Sequence, residues 1–110
     1  MALLKCRSGW AFVALTLLVA CSEPPTTLRP LSESGVILAF GDSLTHGTGA
    51  APEESYPAVL SMLTSRQVIN AGVPGELSAG GLERLPAVLE REHPALVILC
   101  HGGNDILRKR

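Results

Sequence analysis

Aromatic residues are scarce in the 110-residue chain, which has one Trp, one Tyr and two Phe, and charged residues reach only 17%. With 46% hydrophobic residues, this balance excludes a disordered polar tail and a repetitive fibre and leaves room for one small globular domain. No excess of charge exists either: nine Lys and Arg stand against ten Asp and Glu. A net charge of −1 without a clustered basic face argues against nucleic acid as a partner, because displacing counterions from phosphates needs such a face. The basic cluster Arg108-Lys109-Arg110 lies at the end of the chain and reads as a solvated terminus. Three scattered histidines without paired spacing define no metal site, and no cofactor is implied. The longest apolar run, Trp10 to Ala20, is too short to cross a bilayer as a helix.

That run follows Lys5 and Arg7, the charge and length expected of a secretory signal, so residues 1–20 are set aside from the core. It ends in Leu18-Val19-Ala20-Cys21, which resembles the lipobox of bacterial lipoproteins, and Cys21 is the expected site of lipidation. Residues 21–34, with Ser-Glu-Pro-Pro-Thr-Thr-Leu-Arg-Pro, read as an extended tether holding the domain at a membrane surface in the bacterial cell envelope, facing the periplasm or exterior. Cleavage would remove Cys6 and lipid would block Cys21, leaving Cys100 alone, so no disulfide framework is possible. Cys100 lies in an apolar run without a neighbouring positive charge and reads as a buried small hydrophobe. Without Lys5 and Arg7, seven basic residues face ten acidic ones, a net charge of −3.

From residue 35 onward, Gly35-Val36-Ile37-Leu38-Ala39-Phe40 and Ala95-Leu96-Val97-Ile98-Leu99-Cys100 run without alternation, the pattern of strands buried on both faces of a parallel sheet. Val68-Ile69 marks a shorter third strand. Tyr56, Val59, Leu60 and Leu63 recur at helical spacing, with Ser55 as N-cap and Pro57 in the first turn. A second helix is expected from about Ser78 to Glu92, with Leu82, Leu85, Val88 and Leu89 on one side, Glu83, Arg84, Glu90 and Arg91 on the other, and a break or kink at Pro86. Two successive right-handed βαβ units follow, hence an α/β layer architecture of roughly 75 residues, near the lower size for one core.

Ligands bind at the carboxyl ends of parallel strands, and all three strands end in unusual loops. These are Gly41-Asp42-Ser43-Leu44-Thr45-His46-Gly47, Asn70-Ala71-Gly72-Val73-Pro74-Gly75-Glu76 and His101-Gly102-Gly103-Asn104-Asp105. A serine hydroxyl becomes a nucleophile beside a base, and the oxyanion it creates needs donors already in place. Asn104 offers a side-chain N–H, and Gly72 and Gly75 both offer unobstructed backbone amides, which spacing alone does not separate.

In order and spacing these three blocks resemble those of the SGNH hydrolases, also called the GDSL esterase and lipase family, from Val36 to Arg108. The likeness is to the bacterial branch of periplasmic thioesterases, lysophospholipases and arylesterases. It implies a flavodoxin-like three-layer α/β/α fold with the first strand central, and hydrolysis of small acyl esters or thioesters. It assigns the nucleophile to Ser43 and the oxyanion hole to the Ser43 amide, the Gly75 amide and the Asn104 side chain. The same family carries its base and orienting acid in an Asp-x-x-His block. Here Asp42 and Asp105 are the two aspartates, followed three residues on by Thr45 and Arg108. Residues 35–110 therefore read as the amino-terminal part of such a domain, truncated after the third strand and expected to be inactive as an esterase by itself.

Plainer roles compete with these. Ser43 could serve as a helix N-cap. Asp42 is expected to tie down its own loop, Asp105 to cap the turn that follows it, His46 and His93 to be solvated, and His101 to be structural, a modest role in substrate or loop contact being the alternative. Two other functions compete with the esterase: a catalytically inactive lipoprotein with a binding or structural role, and a flavodoxin-like cofactor binder. The last is disfavoured because Asp42-Ser43-Leu44 puts an acid and a leucine where a phosphate cradle is needed.

Overall fold

In the computed structural model, which describes residues 27 and 29–109, the apolar run Ile37–Gly41 forms a strand, β1, buried along its whole length. The elements that follow are α1 (Ser43–His46), a 3-10 turn (Pro52–Glu54), α2 (Tyr56–Thr64), β2 (Val68–Gly72), α3 (Ser78–Glu92), β3 (Leu96–Cys100) and α4 (Gly103–Leu107). The expected export signal, Cys21 and most of the Pro-rich stretch lie outside the described residues.

The sheet is parallel throughout, in the order β2-β1-β3, so the first strand is central as expected. Ile37 pairs with Val68 and Leu96, and Gly41 pairs with Gly72 and Cys100. All three strands thus end at one level, and the loops behind them share one edge. Because β2 and β3 lie on opposite sides of β1, right-handed crossovers put α2 and α3 on opposite faces. Leu38 and Phe40 point to the α3 face, where Val88 closes a small core with Ile69, Ala71, Leu85 and Leu89 packed around it. Removing the side chains of Leu38 and Phe40 from water stabilises the fold by roughly 1.5–3 kcal/mol each.

Several local expectations need correction. β3 is not buried on both faces: Leu96, Val97 and Leu99 are exposed, Leu99 at 64%, because β3 is an edge strand and no described element covers its outer side. Cys100, at its end, is likewise exposed. Helix α3 does not break at Pro86. The residue sits on the solvent side, and the helical carbonyl it leaves without a donor belongs to Leu82, which is also on the exposed face. The buried stripe of α3 is Gly81, Arg84, Leu85 and Val88 rather than one containing Leu82, so Arg84 is half-buried instead of solvated. In α2, Leu63 is exposed, and Ser55 holds the N-cap position without a capping bond, its hydroxyl donating instead to the Pro52 carbonyl at 2.9 Å. On the chain's approach to β1, Arg66 donates to the carbonyls of Leu31 and Ser32, fixing that segment beside the start of the sheet.

Candidate active site

After β1 the chain turns directly into α1, and Asp42, not Ser43, is its N-cap. Asp42 is 4% exposed, and its Oδ1 accepts the Leu44 N–H at 3.1 Å, as expected of a residue that ties down its own loop. Ser43 becomes the first helical residue, half-buried, and its N–H reaches no backbone carbonyl of the described residues. The capping task that competed for its hydroxyl is taken by its neighbour. Gly47 ends the turn with φ +89 and donates its N–H to the Ser43 carbonyl at 3.1 Å.

The two glycines that spacing left open are separated by geometry. Gly72 donates its N–H to Asn70 Oδ1 at 3.0 Å, and a Cβ there would lie 2.2 Å from the His46 nitrogen. It lets α1 pack on the end of β2, and its amide is occupied. Gly75 adopts φ +76, and its N–H reaches no backbone carbonyl of the described residues. The Arg108 guanidinium lies 3.3 Å from where a Cβ at 75 would be. Asn70 also spans the loops, its Nδ2 donating to the His46 carbonyl at 3.3 Å.

From the third loop, Asn104 reaches back across the same edge. Its Nδ2 donates to the Glu76 carbonyl at 3.0 Å and stands 3.5 Å from Asp42 Oδ2. Both neighbours are acceptors, which fixes the nitrogen rather than the oxygen of the amide on this side. One Nδ2 hydrogen is firmly held and the other makes at most a weak contact. Ser43, Gly75 and Asn104 therefore lie on one edge, each following a different strand of the sheet.

His101 is not solvent-facing. Its Nδ1 accepts the Gly102 N–H at 3.0 Å, so Nε2 carries the proton and donates to Glu76 Oε2 at 3.0 Å. Both ring nitrogens are engaged away from Ser43, which fits the structural role expected of it. His46 and His93 are exposed as expected, and none of the three histidines hydrogen-bonds to Ser43. Asp105 caps a different element from the one expected: its two oxygens accept the Ser78 N–H at 2.9 Å and the Ser78 hydroxyl at 2.7 Å, closing the start of α3 rather than the turn that follows it.

A charged cluster missing from the sequence reading joins the second and third loops. Arg84 Nε and Nη2 donate to Glu76 Oε1 and Oε2 at 3.0 and 2.6 Å, and Nη2 also reaches the Ala71 carbonyl at 3.1 Å. The same guanidinium lies 4.1 Å over the centroid of the Phe40 ring. The signal was present in the helical stripe 81, 84, 85, 88: a charge on a buried stripe demands a partner. The Arg84 hydrogen bonds, opposed by desolvation and aided by His101, hold the Glu76 carboxyl below the usual carboxylate range. The Ser78 side-chain and backbone hydrogen bonds do the same for Asp105.

Depressed folded-state pKa values contribute stability that is present above the ordinary carboxylate pKa, about 4, and lost as pH falls through the folded value. Denaturant unfolding at stepped pH is therefore expected to show stability dropping below about pH 4, with a smaller acid-induced drop in Asp105→Asn than in the parent. An equal drop in both would remove Asp105 from the account.

Residues 39–110 match the GDSL-like Lipase/Acylhydrolase family. The chain is 42% identical over 77 residues to the esterase TesA of Pseudomonas aeruginosa, covering 66% of this chain and 38% of that protein. It is 39% identical over 74 residues to thioesterase 1/protease 1/lysophospholipase L1 of Escherichia coli, covering 66% of this chain and 36% of that one. Among solved structures, AlinE4, an SGNH-hydrolase family esterase, superposes with a TM-score of 0.66 at 46% identity, over 73% of this chain and 46% of the other. The chain thus spans less than half the length of these relatives. Fold, loop order and likeness agree: the chain belongs to the GDSL-like lipase/acylhydrolase family, the SGNH hydrolases.

Proposed function

We propose that the chain carries the nucleophile and the oxyanion hole of a serine hydrolase of acyl esters or thioesters, of the arylesterase or lysophospholipase/thioesterase kind. The observation that supports it most is the Asn104 amide bridging the first and second loops, with Asp42 on one side and the Glu76 carbonyl on the other. In this reading, Ser43 Oγ attacks the acyl carbonyl carbon as its proton passes to a base histidine. The carbonyl oxygen, now an oxyanion, is held by the Ser43 and Gly75 N–H groups and the second Nδ2 hydrogen of Asn104. The same histidine protonates the departing alcohol or thiol, and a water molecule then releases the acyl group from Ser43. Because both His101 nitrogens are engaged, the base is proposed to come from an Asp-x-x-His segment outside these 110 residues, and the chain alone to be inactive.

Asn104→Ala in the complete enzyme is expected to lower kcat on p-nitrophenyl acyl esters by about 10² to 10³, roughly 2.7–4 kcal/mol, with a much smaller change in KM. Unchanged turnover would remove Asn104 from the oxyanion hole. A complete protein inert to esters and to fluorophosphonates would favour the reading as a non-catalytic lipoprotein.

The protein is further proposed to be exported and anchored to the envelope membrane through lipid on Cys21. Cys21→Ala is expected to shift it from the membrane to the soluble fraction and to remove the lipid from its mass. Retained membrane association at unchanged mass would overturn the anchor. Among the described residues no helix is long and apolar enough to cross a membrane.

A further inference from the structure

We propose that Glu76 is a positioning residue for the oxyanion hole, its carboxylate held by Arg84 and His101 so that one residue sets two donors at once. The inference rests on the reading of Gly75 and Asn104 as those donors. Glu76 follows Gly75 directly, and its N–H donates to the Val73 carbonyl at 3.2 Å, closing the turn that contains the Gly75 N–H, so anchoring the Glu76 side chain holds that turn in place. Its own carbonyl accepts Asn104 Nδ2 at 3.0 Å, which fixes the rotation of that amide and leaves its second hydrogen with only the 3.5 Å contact to Asp42 Oδ2, weak enough to be given up to an oxyanion. The two ends of one residue therefore aim donors that come from different loops.

The anchor is rigid for physical reasons. Arg84 grips Glu76 through two parallel bonds, a planar fork that fixes angle as well as distance. The fork is itself held by the Ala71 carbonyl at the end of β2 and by the face of Phe40, which is 1% exposed. On the other side, the His101 ring lies against Gly81, where a Cβ would come within 2.7 Å of Nε2, so only glycine at that helix position admits the ring. Its Nδ1 accepts the N–H of Gly102, the N-cap residue of α4, and so helps place Asn104 in the first turn. The side chains of Glu76 and Arg84 are 11% and 25% exposed, a depth at which an ion pair roughly breaks even against apolar packing. What the cluster supplies beyond that is fixed geometry, and a displacement of one ångström at a reacting centre is enough to slow catalysis markedly.

The test uses the complete enzyme with p-nitrophenyl butyrate. Glu76→Gln keeps the volume but removes the charge, and is expected to lower kcat about tenfold with KM changed by less than about twofold. Placed in the Asn104→Ala background, the same substitution is expected to cost clearly less than in the parent, because one of the two donors it orients is gone and only the Gly75 N–H remains to be misaimed. A merely structural role would give the same fold-loss in both backgrounds, and that result, like full kcat in Glu76→Gln, would overturn the proposal. Should Glu76→Gln not fold, Arg84→Lys retains the charge but loses the fork and is expected to show the same split between kcat and KM, and wild-type kcat there would overturn it equally. Undiminished activity in Ser43→Ala would instead refute the serine-hydrolase reading itself, so the two failures are distinguishable.

Discussion

Replacing Ser43 by alanine in the complete enzyme is expected to lower kcat for ester hydrolysis by about 10⁶ and to abolish covalent labelling by a fluorophosphonate. The hydroxyl sits at the first position of α1, on the sheet edge where the other two loops converge, and the cap of that helix is made by Asp42. Alanine is therefore tolerated structurally: it removes no capping bond and suits a helix. The loss falls on chemistry alone, because no covalent acyl intermediate forms without the nucleophile. An oxyanion hole retains some effect on direct attack by water, which is why a small residual rate above background is compatible with the assignment. Thermal unfolding serves as the control, with the midpoint expected within a few degrees of the parent. Activity comparable to the parent would mean that another residue is the nucleophile.

The second large effect concerns stability. Gly72→Ala is expected to destabilise the fold by about 3 kcal/mol or more, enough to unfold much of a marginal domain, with loss of the sheet signal by circular dichroism. A Cβ at 72 would meet His46 N at 2.2 Å and both His46 Cα and Thr45 C at 2.7 Å, all backbone atoms of α1 that no rotamer change can move. Relief requires lifting α1 from the sheet, and α1 begins with Ser43, so any surviving fold would be misaligned for catalysis. Thr45, fully buried in the same turn, resists that movement. Gly80→Ala supplies the contrast: it lies inside α3, and a Cβ there makes an ordinary 3.4 Å contact with Glu76 Cγ. That change is expected to be neutral or stabilising by up to about 1 kcal/mol through helix propensity. Equal unfolding midpoints for Gly72→Ala and the parent in urea would show that α1 does not depend on this close approach.

Much of the frame was legible in the sequence. The apolar runs at 35–40 and 95–100 announced strands, and the alternation of strand and helix allowed right-handed parallel crossovers as the simplest topology. Once the strands are parallel, their carboxyl ends must share an edge, so Ser43, Gly75 and Asn104 were bound to converge from positions 29 to 61 residues apart. The blocks Gly41 to Leu44, Asn70 to Gly75 and Gly102 to Asp105 carried the family likeness for the same reason: the chemistry is concentrated in short loops whose residue types are read directly.

What the tertiary structure alone decided were the partners. Whether Gly72 or Gly75 has a free amide depends on where α1 lies, and Asn70, two residues before Gly72, takes the Gly72 N–H. That Asp105 caps α3 at Ser78, 27 residues earlier, follows from the approach of the third loop to the start of that helix. The Glu76, Arg84 and His101 cluster likewise exists only because β1 places Phe40 beneath the guanidinium and β3 delivers His101 beside Gly81. Pro86 passes through a helix that its sequence should interrupt because Leu85, Val88 and Leu89 hold both halves against Leu38 and Phe40. Strand and helix periodicity come from forces acting within a few residues, so they are written in the chain. A hydrogen bond or ion pair forms only within about 3 Å and at a favourable angle, and those conditions arise when distant segments are packed together.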